Sequence, residues 1–391
     1  MRQSRVALLI LSTAVVLLLL GGGLAFRAGA SDASFHQVSR FEEVFDLVQQ
    51  NYVDPVNPET LLEGAYEGLL GGLDVNGTYL TPREVEEWTG PAPDSADPGL
   101  VVLKSFGSLQ VVRVIPGSPA ETAGIKPGDQ VRTVDGRSLR DVSLEQAVRL
   151  LRGKPGTSLN LGILRVQEGL EREDVTVQRA HRSEPPFRLE VQGETALLTV
   201  NDLVRLGAGE LASSLREPRA KAATRLLLDL RDVVEGTPRD AIPLLGLFVS
   251  GEALRLKERG GRVLETVSGS KSETPPWSKP VAVLVNGATA GGAEAVARVL
   301  QVRRGAPVYG ESTYGLAAES KLFRLSGGAG FLLPVFLWET PSGETWEGDG
   351  VKPDLVLSAD RTKEAAADQL RRALEAFEKA PKPGEPAPKA T

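Results

Sequence analysis

The chain has 391 residues, 41% of them hydrophobic and 5% aromatic, with 51 acidic against 45 basic side chains and a net charge of −6. That length exceeds one average domain, and the acidic balance, with no long block of one sign, argues against nucleic acid as a partner. The absence of cysteine excludes disulfides, thiolate metal sites, a cysteine nucleophile and a lipidated amino-terminal cysteine. The two histidines, His36 and His181, stand alone in polar stretches with no His or Cys at ligand spacing. A histidine zinc site and a Ser-His-Asp triad are both set aside, the latter also for want of a GxSxG elbow. Neither a metal nor a cofactor is expected.

Arg2 and Arg5 precede 21 uncharged residues, 6–26. At ~1.5 Å per residue a helix of that length spans a bilayer core, and basic residues ahead of it keep that end in the cytoplasm. Residues 1–30 therefore read as a membrane anchor. The competing reading is a cleaved signal ending at Ala28-Gly29-Ala30. Either one exports the chain to an extracytoplasmic, periplasmic or cell-envelope location.

Residues 36–90 read as a helical region. Phe41, Val44, Phe45 and Val48, then Leu61, Leu62, Ala65 and Leu69, recur at helical spacing on either side of Asp54-Pro55. The proline-rich run 91–98 is a linker. Residues 98–166 read as a compact α+β module. A strand at Val111–Ile115 is followed by a short helix capped by Ser118-Pro119 and closed by Gly124. A strand at 129–134 leads into the turn Asp135-Gly136. Ser143-Leu144-Glu145-Gln146 is a capping box opening a helix stopped by Gly153, and Leu159, Leu161 and Ile163 alternate as a last strand.

The run GSPAETAGIKPGDQVRTVDGRSL at 117–139 resembles the PDZ domain carried by bacterial processing proteases. That resemblance implies a site where a peptide carboxyl terminus adds as a strand, its carboxylate held by a glycine-containing loop. Gly99, Leu100, Val101 and Val102 are the candidate peptide-binding residues.

Residues 177–358 read as an α/β core with strands at 196–200, 225–230, 281–285 and 307–309 and a hairpin near 331–338. Helices are expected at 203–215, 238–248 and 290–300. A helix over 359–380 precedes a Pro- and Lys-rich tail, 381–391, of disordered composition. The fold class is multidomain α/β and α+β.

The segments FEEVFDLVQQNYVDPV and LLEGAYEGLLGGLDVNGTYL, the PDZ run, LLLDLR at 226–231, VAVLVNGATAGGAEAVARVL at 281–300, YGESTYG at 309–315 and GDGVKPDLVL at 348–357 follow one another in a telling order. Together they resemble the carboxyl-terminal processing (tail-specific) serine peptidases of family S41. The resemblance implies a ClpP/crotonase-like core and a Ser–Lys dyad: a serine made nucleophilic by a lysine that burial keeps neutral. In the family the serine lies within Ser-Ala-Ser-Ala-Ser-Glu and the lysine within Thr-Phe-Gly-Lys-Gly. Here those motifs read Thr289-Ala290-Gly291-Gly292-Ala293-Glu294 and Thr313-Tyr314-Gly315-Leu316-Ala317. The nucleophile position is Gly291, the base position Leu316, and a following glutamine is Ser320. The family's Asp-Leu-Arg-Asn-Asn-Pro-Gly-Gly strand end reads Asp229-Leu230-Arg231-Asp232-Val233-Val234-Glu235-Gly236, which places an acid near a developing oxyanion.

The expectation is a non-catalytic pseudoprotease that binds protein or peptide C-termini, reaches the membrane through its first segment, and partners itself or an active S41 relative. One alternative is an active serine-type endopeptidase using the displaced residues Thr289, Ser312 or Lys321. The other is a structural oligomerisation scaffold. Ser268-Gly269-Ser270-Lys271 matches the S-x-x-K motif but lies in a polar loop without its partner motifs. The pair Glu294 and Glu311 reads as structural.

Overall fold

A computed structural model describes residues 32–73, 76–105, 107–165, 171–358 and 363–379. The predicted anchor at 1–30 and tail at 381–391 lie outside the described residues. Among the described residues no helix is long and apolar enough to cross a membrane.

The chain divides into two compact units at Tyr66/Glu67. The first holds helix α1 (Asp32–Asn51) and the start of α2 (Pro58–Gly71). The break falls at Asp54-Pro55, as the sequence predicts. Asn57 Oδ1 accepts the Glu59 amide at 2.9 Å ahead of α2, and Pro58 takes its first position. Phe41 and Phe45 stack on one side of α1, with centroids 6.4 Å apart.

The second unit opens with β1 (Thr78–Leu80) and α3 (Pro82–Thr89). Thr81 and Glu84 form a complete capping box at the start of α3. The α+β module follows as β2 (Leu100–Ser105), β3 (Ser108–Val114), α4 (Pro119–Thr122), β4 (Gln130–Val134), β5 (Arg137–Ser138), α5 (Leu144–Leu151), β6 (Ser158–Arg165) and β7 (Glu171–Gln178). The sheet order is β2-β3-β4-β6-β7, with β5 paired to β4. Local signals set these elements. Ser118 Oγ accepts the Glu121 amide at 3.2 Å, and Asp135 and Gly136, at φ 50° and 79°, make the tight turn between β4 and β5. Two features differ from the sequence reading. Leu100–Ser105 is a strand rather than a loop, and the sheet continues through β7, whose alternating charges Glu171, Arg172, Glu173 and Asp174 mask its periodicity.

The core begins with β8 (Phe187–Gln192), β9 (Thr195–Val200), α6 (Ala208–Arg216), α7 (Pro218–Ala222), β10 (Arg225–Asp229) and α8 (Ile242–Phe248). It continues through β11 (Glu252–Glu258), β12 (Val263–Ser268), β13 (Val281–Val285), α9 (Gly292–Arg304) and β14 (Val308–Gly310). Last come β15 (Ala318–Arg324), β16 (Gly330–Glu339), β17 (Leu355–Val356) and α10 (Lys363–Lys379). One sheet runs β17-β14-β13-β10-β9-β8, parallel from β17 to β9 with β8 antiparallel at its edge. Its central strands are apolar throughout because both faces are covered. Leu226, Leu228, Val281 and Val283 meet residues of α6, α8 and α9 on one side. Leu197, Leu227, Ala282 and Leu284 face Leu370, Ala373 and Phe377 of α10 on the other. A second, antiparallel sheet orders β1-β16-β11-β12 with β15 on β16.

Two predicted helices begin late. α6 starts at Ala208 rather than near 203, because Asp202 Oδ1 takes the Arg205 amide at 3.1 Å. α8 starts at Ile242 rather than 238, because Asp240 Oδ2 takes the Thr237 amide at 2.7 Å.

Candidate functional site

The parallel strands β10, β13 and β14 end side by side, and in open α/β sheets ligands sit beyond such carboxyl ends. Three loops leave from there: 230–236, 286–291 and 311–317. They are stitched to one another. The Ala290 amide donates to the Val233 carbonyl at 2.9 Å, Tyr314 to the Thr289 carbonyl at 3.0 Å, and Asn286 Nδ2 to Asp232 Oδ1 at 2.8 Å. Asp232 has a positive φ of 59°, uncommon for a side-chain-bearing residue. Burial pushes its carboxyl up, with the Asn286 bond opposing.

Gly291 sits at the sharp turn from the loop after β13 into α9, at φ 55° and ψ −115°. This is the strained strand-to-helix geometry in which a hydrolase presents its nucleophile. A Cβ here would stand 2.7 Å from the Gly236 carbonyl oxygen and 4.0 Å from Leu316 Cδ2. The sequence therefore names two positions, Gly291 and Leu316, that the fold brings together. In such a turn the amide of the residue after the nucleophile serves as an oxyanion donor. That residue is Gly292, and its amide donates to the Gly236 carbonyl at 2.8 Å.

Glu294 anchors the arrangement from the first turn of α9. Its carboxylate is 0% exposed. It accepts the amides of Gly291 at 2.9 Å, Gly315 at 2.6 Å and Leu316 at 2.8 Å, and the Thr313 hydroxyl. Burial pushes its carboxyl up to about 7, while these four donors hold back part of the rise. Its role is to bind the 313–316 turn to the helix.

The displaced candidates are placed as follows. Thr289 is 0% exposed, its hydroxyl donating to the Leu230 carbonyl at 2.9 Å and accepting the Asn286 amide at 3.0 Å. Ser312 is exposed, and Ser320 lies in β15 opposite Pro334 at a register shift. Lys321 is exposed on β15 with its ammonium over the Phe323 ring at 5.4 Å. No hydrogen bond joins any two of Thr289, Ser312 and Lys321 among the described residues. Ser268 ends a strand, not a helix start.

The α+β module lies directly on these loops. Val234, Ala288 and Ala290 belong to the same buried apolar cluster as Leu100, Val101, Val102, Leu109 and Ile163, with Tyr314 and Leu316 packed against it. The Tyr314 hydroxyl reaches the Lys104 carbonyl at 3.3 Å. Lys104 Nζ donates to the Leu139 and Arg140 carbonyls, and burial lowers its pKa to about 8. Of the predicted peptide site, Leu100, Val101 and Val102 are each 3% exposed. Gly99, at φ 86°, donates its amide to Asp97 Oδ1 at 2.6 Å, and its carbonyl accepts the Ile115 amide at 2.9 Å. Only glycine fits there, since a Cβ would meet that of Ser118 at 2.2 Å.

An ion network without a local sequence signal joins module and core. Glu235 pairs with Arg152, at the end of α5, and with Arg182, and Arg182 also pairs with Asp97 at 2.7 Å and with Asp202 at 3.6 Å. Opposite charges on three sides hold the Arg182 guanidinium ever more firmly protonated, against the burial that lowers its pKa. Its paired members lie 20 to 85 positions apart, so no local pattern announces it.

The α/β core brings its loops together at an elbow of the kind hydrolases use, with the α+β module seated on them. Residues 194–357 match the model of peptidase family S41, residues 110–165 that of a PDZ domain, and residues 25–79 that of the activating protease CtpB N-terminal domain. The chain is 27% identical over 367 residues to the carboxy-terminal processing protease CtpA of Bacillus subtilis (strain 168), covering 90% of this chain and 77% of that one. It is 25% identical over 337 residues to a probable CtpA-like serine protease of Staphylococcus aureus (strain MRSA252), covering 85% and 67%. The solved photosystem II D1 C-terminal processing protease shares the fold at a TM-score of 0.59 and 21% identity, covering 84% of this chain and 95% of that one.

Proposed function

We propose that this chain is a membrane-tethered, extracytoplasmic S41 scaffold that binds the C-termini of proteins or peptides through its PDZ module and does not cut them. The observation that carries the reading is at the elbow. Gly291 supplies no nucleophile, its neighbour Leu316 supplies no base, and the Gly292 amide already donates to the Gly236 carbonyl at 2.8 Å. Losing the members of a hydrolytic dyad lowers turnover by about 10⁴ to 10⁶-fold, and a spent oxyanion donor removes more of what remains. The buried, doubly bonded Thr289 hydroxyl argues against a displaced nucleophile.

Binding is favoured by β2 standing at the end of its sheet, its outer edge unpaired by any described strand. Such an edge accepts an extended peptide through main-chain hydrogen bonds. The resting state covers the apolar face of β2 with core residues, so a ligand uses the backbone edge or displaces Tyr314 and Leu316.

Two measurements on the purified protein test this. Tail-peptide hydrolysis and fluorophosphonate labelling are expected to be silent, and turnover abolished by Thr289→Ala or Ser312→Ala would sink the proposal. Fluorescence anisotropy should show peptides with a free C-terminus binding and their amidated forms not. Failure of both peptide forms would favour the structural scaffold instead.

A further inference from the structure

Among the described residues no hydrogen bond engages the main chain of Val234 or Glu235. On either side of them the Val233 and Gly236 carbonyls accept the Ala290 and Gly292 amides at 2.9 and 2.8 Å. What ties the two intervening residues to the α+β module is their side chains. Val234 is 6% exposed and belongs to the cluster that joins Leu100, Val101 and Val102 of β2 with Leu144, Ala147 and Leu151 of α5. The Glu235 carboxylate takes Arg152 on Oε2 and Arg182 on Oε1.

These contacts fall at one end of the module. Arg152 is the C-cap of α5, and Asp97, which shares Arg182 with Glu235, stands just ahead of β2. Glu235 thus sits where the end of α5 meets the start of β2. A peptide pairing antiparallel with β2 places its C-terminus beside the start of that strand. Its terminal carboxylate would meet Arg152 and Arg182, and its last side chain the cluster that holds Val234. The Gly99 amide does not supply the anion site, because it donates to Asp97 Oδ1 at 2.6 Å. The Arg152 guanidinium has no other hydrogen-bond partner than Glu235 among the described residues, and its side chain is 31% exposed. It therefore offers a carboxylate both a charge and a way in from solvent.

We propose that Val234-Glu235 is an internal ligand of the PDZ module, standing in for the last side chain and carboxylate of a C-terminal peptide that ends in an aliphatic residue. Exchanging one carboxylate for another leaves neither guanidinium unpaired. The segment that must leave has no main-chain hydrogen bonds of its own to break. An internal ligand lowers the apparent affinity by the fraction of time it vacates the site. The inference rests on the C-terminal-binding reading above and deepens it, naming the groups that hold the terminus and the competitor they already hold.

Fluorescence anisotropy on the full chain tests this with fluorescein-labelled Ala-Ala-Thr-Ala-Val, free or amidated at its C-terminus. Glu235→Gln removes the competing carboxylate and should tighten binding of the free form about ten-fold, with the amide still unbound. Val234→Ala, which weakens the same competitor, should tighten it about three-fold. Added to Glu235→Gln, Arg152→Gln should weaken binding about ten-fold. Alone it should change affinity less, because Arg152 then serves the internal and the external carboxylate alike. The free peptide should raise the Tm of Glu235→Gln more than that of the parent, which distinguishes an opened site from an unfolded variant. Unchanged or weaker binding by both Glu235→Gln and Val234→Ala, with the parent binding normally, overturns the internal ligand and leaves the C-terminal reading standing. Preference for an amidated peptide with an internal Val-Glu would assign the site to acidic side chains and overturns it too. Failure of the parent and every variant to bind either form sinks the C-terminal reading itself, and this inference with it.

Discussion

Gly291 and Leu316 face each other across the head of α9, 4.0 Å from the point where a Cβ on Gly291 would stand to Leu316 Cδ2. Both are tied to the same carboxylate, since the amides of Gly291 and Leu316 donate to Glu294 Oε2 at 2.9 and 2.8 Å. The two positions adjoin although neither residue carries a reactive group.

Placing a serine and a lysine at these two positions should not produce hydrolysis there. In Gly291→Ser the new Cβ would approach the Gly236 oxygen to 2.7 Å at a φ of 55°, a strain of about 1–3 kcal/mol. Gly291→Ser with Leu316→Lys is expected to unfold at lower temperature and to remain silent to fluorophosphonate. Labelling at a rate above the parent protein would show that the loop 233–236 yields more readily than its bonds to Ala290 and Gly292 imply.

Stability should carry a signature of Glu294. Its carboxyl titrates at about 7 in the folded protein against an ordinary value of 4.5. Between these values the native state holds the extra proton, so stability falls as pH rises from about 4.5 to 7 and levels off above. Burial raises Asp97 and Asp232 as well, adding slope of the same sign. Chemical denaturation at a series of pH values should show this fall, and Glu294→Gln should flatten it between pH 5 and 7.

Breaking the ion network should loosen the module before it loosens the core. Glu235→Gln leaves the Arg182 guanidinium short of one partner, at a cost of about 3 kcal/mol. Hydrogen exchange is expected to quicken in β2 and at the end of α5 while β13 stays protected. Uniform quickening in all three would mean that Glu235 does not act at this contact.

The Thr289 hydroxyl should matter to folding alone. Thr289→Val removes its bond to the Leu230 carbonyl, lowering stability by about 1–2 kcal/mol, with peptide binding unchanged. A loss of C-terminal peptide affinity larger than two-fold would give that hydroxyl a part beyond packing.

The elements legible in the sequence were those whose signals are local. The run 281–285 reads as a strand because every residue is apolar, and it is one because sheet faces are covered on both sides. The caps at Ser118 and Ser143 declare their helices. The late starts of α6 and α8 leave no apolar signal because Asp202 and Asp240 divert nearby amides, a competition that apolar periodicity does not register. At the site, register through Glu294 identifies Gly291 and Leu316, yet nothing in sequence reports that the Gly292 amide meets the Gly236 carbonyl. The Glu235–Arg182 pair is hidden for the same reason: its members come together only when the module closes on the core.

The apolar cluster shared by Leu100–Val102 and Val234, Ala288 and Ala290 erases a boundary that the sequence draws at the end of the PDZ run. In thermal terms the module and the core have no private hydrophobic interiors along that seam, so they should melt as one cooperative transition. A fragment cut between β7 and β8 would expose a greasy facet on each half. Either half alone would then be a poor substitute for the intact chain, and a candidate for clumping at concentrations where the whole protein stays dispersed.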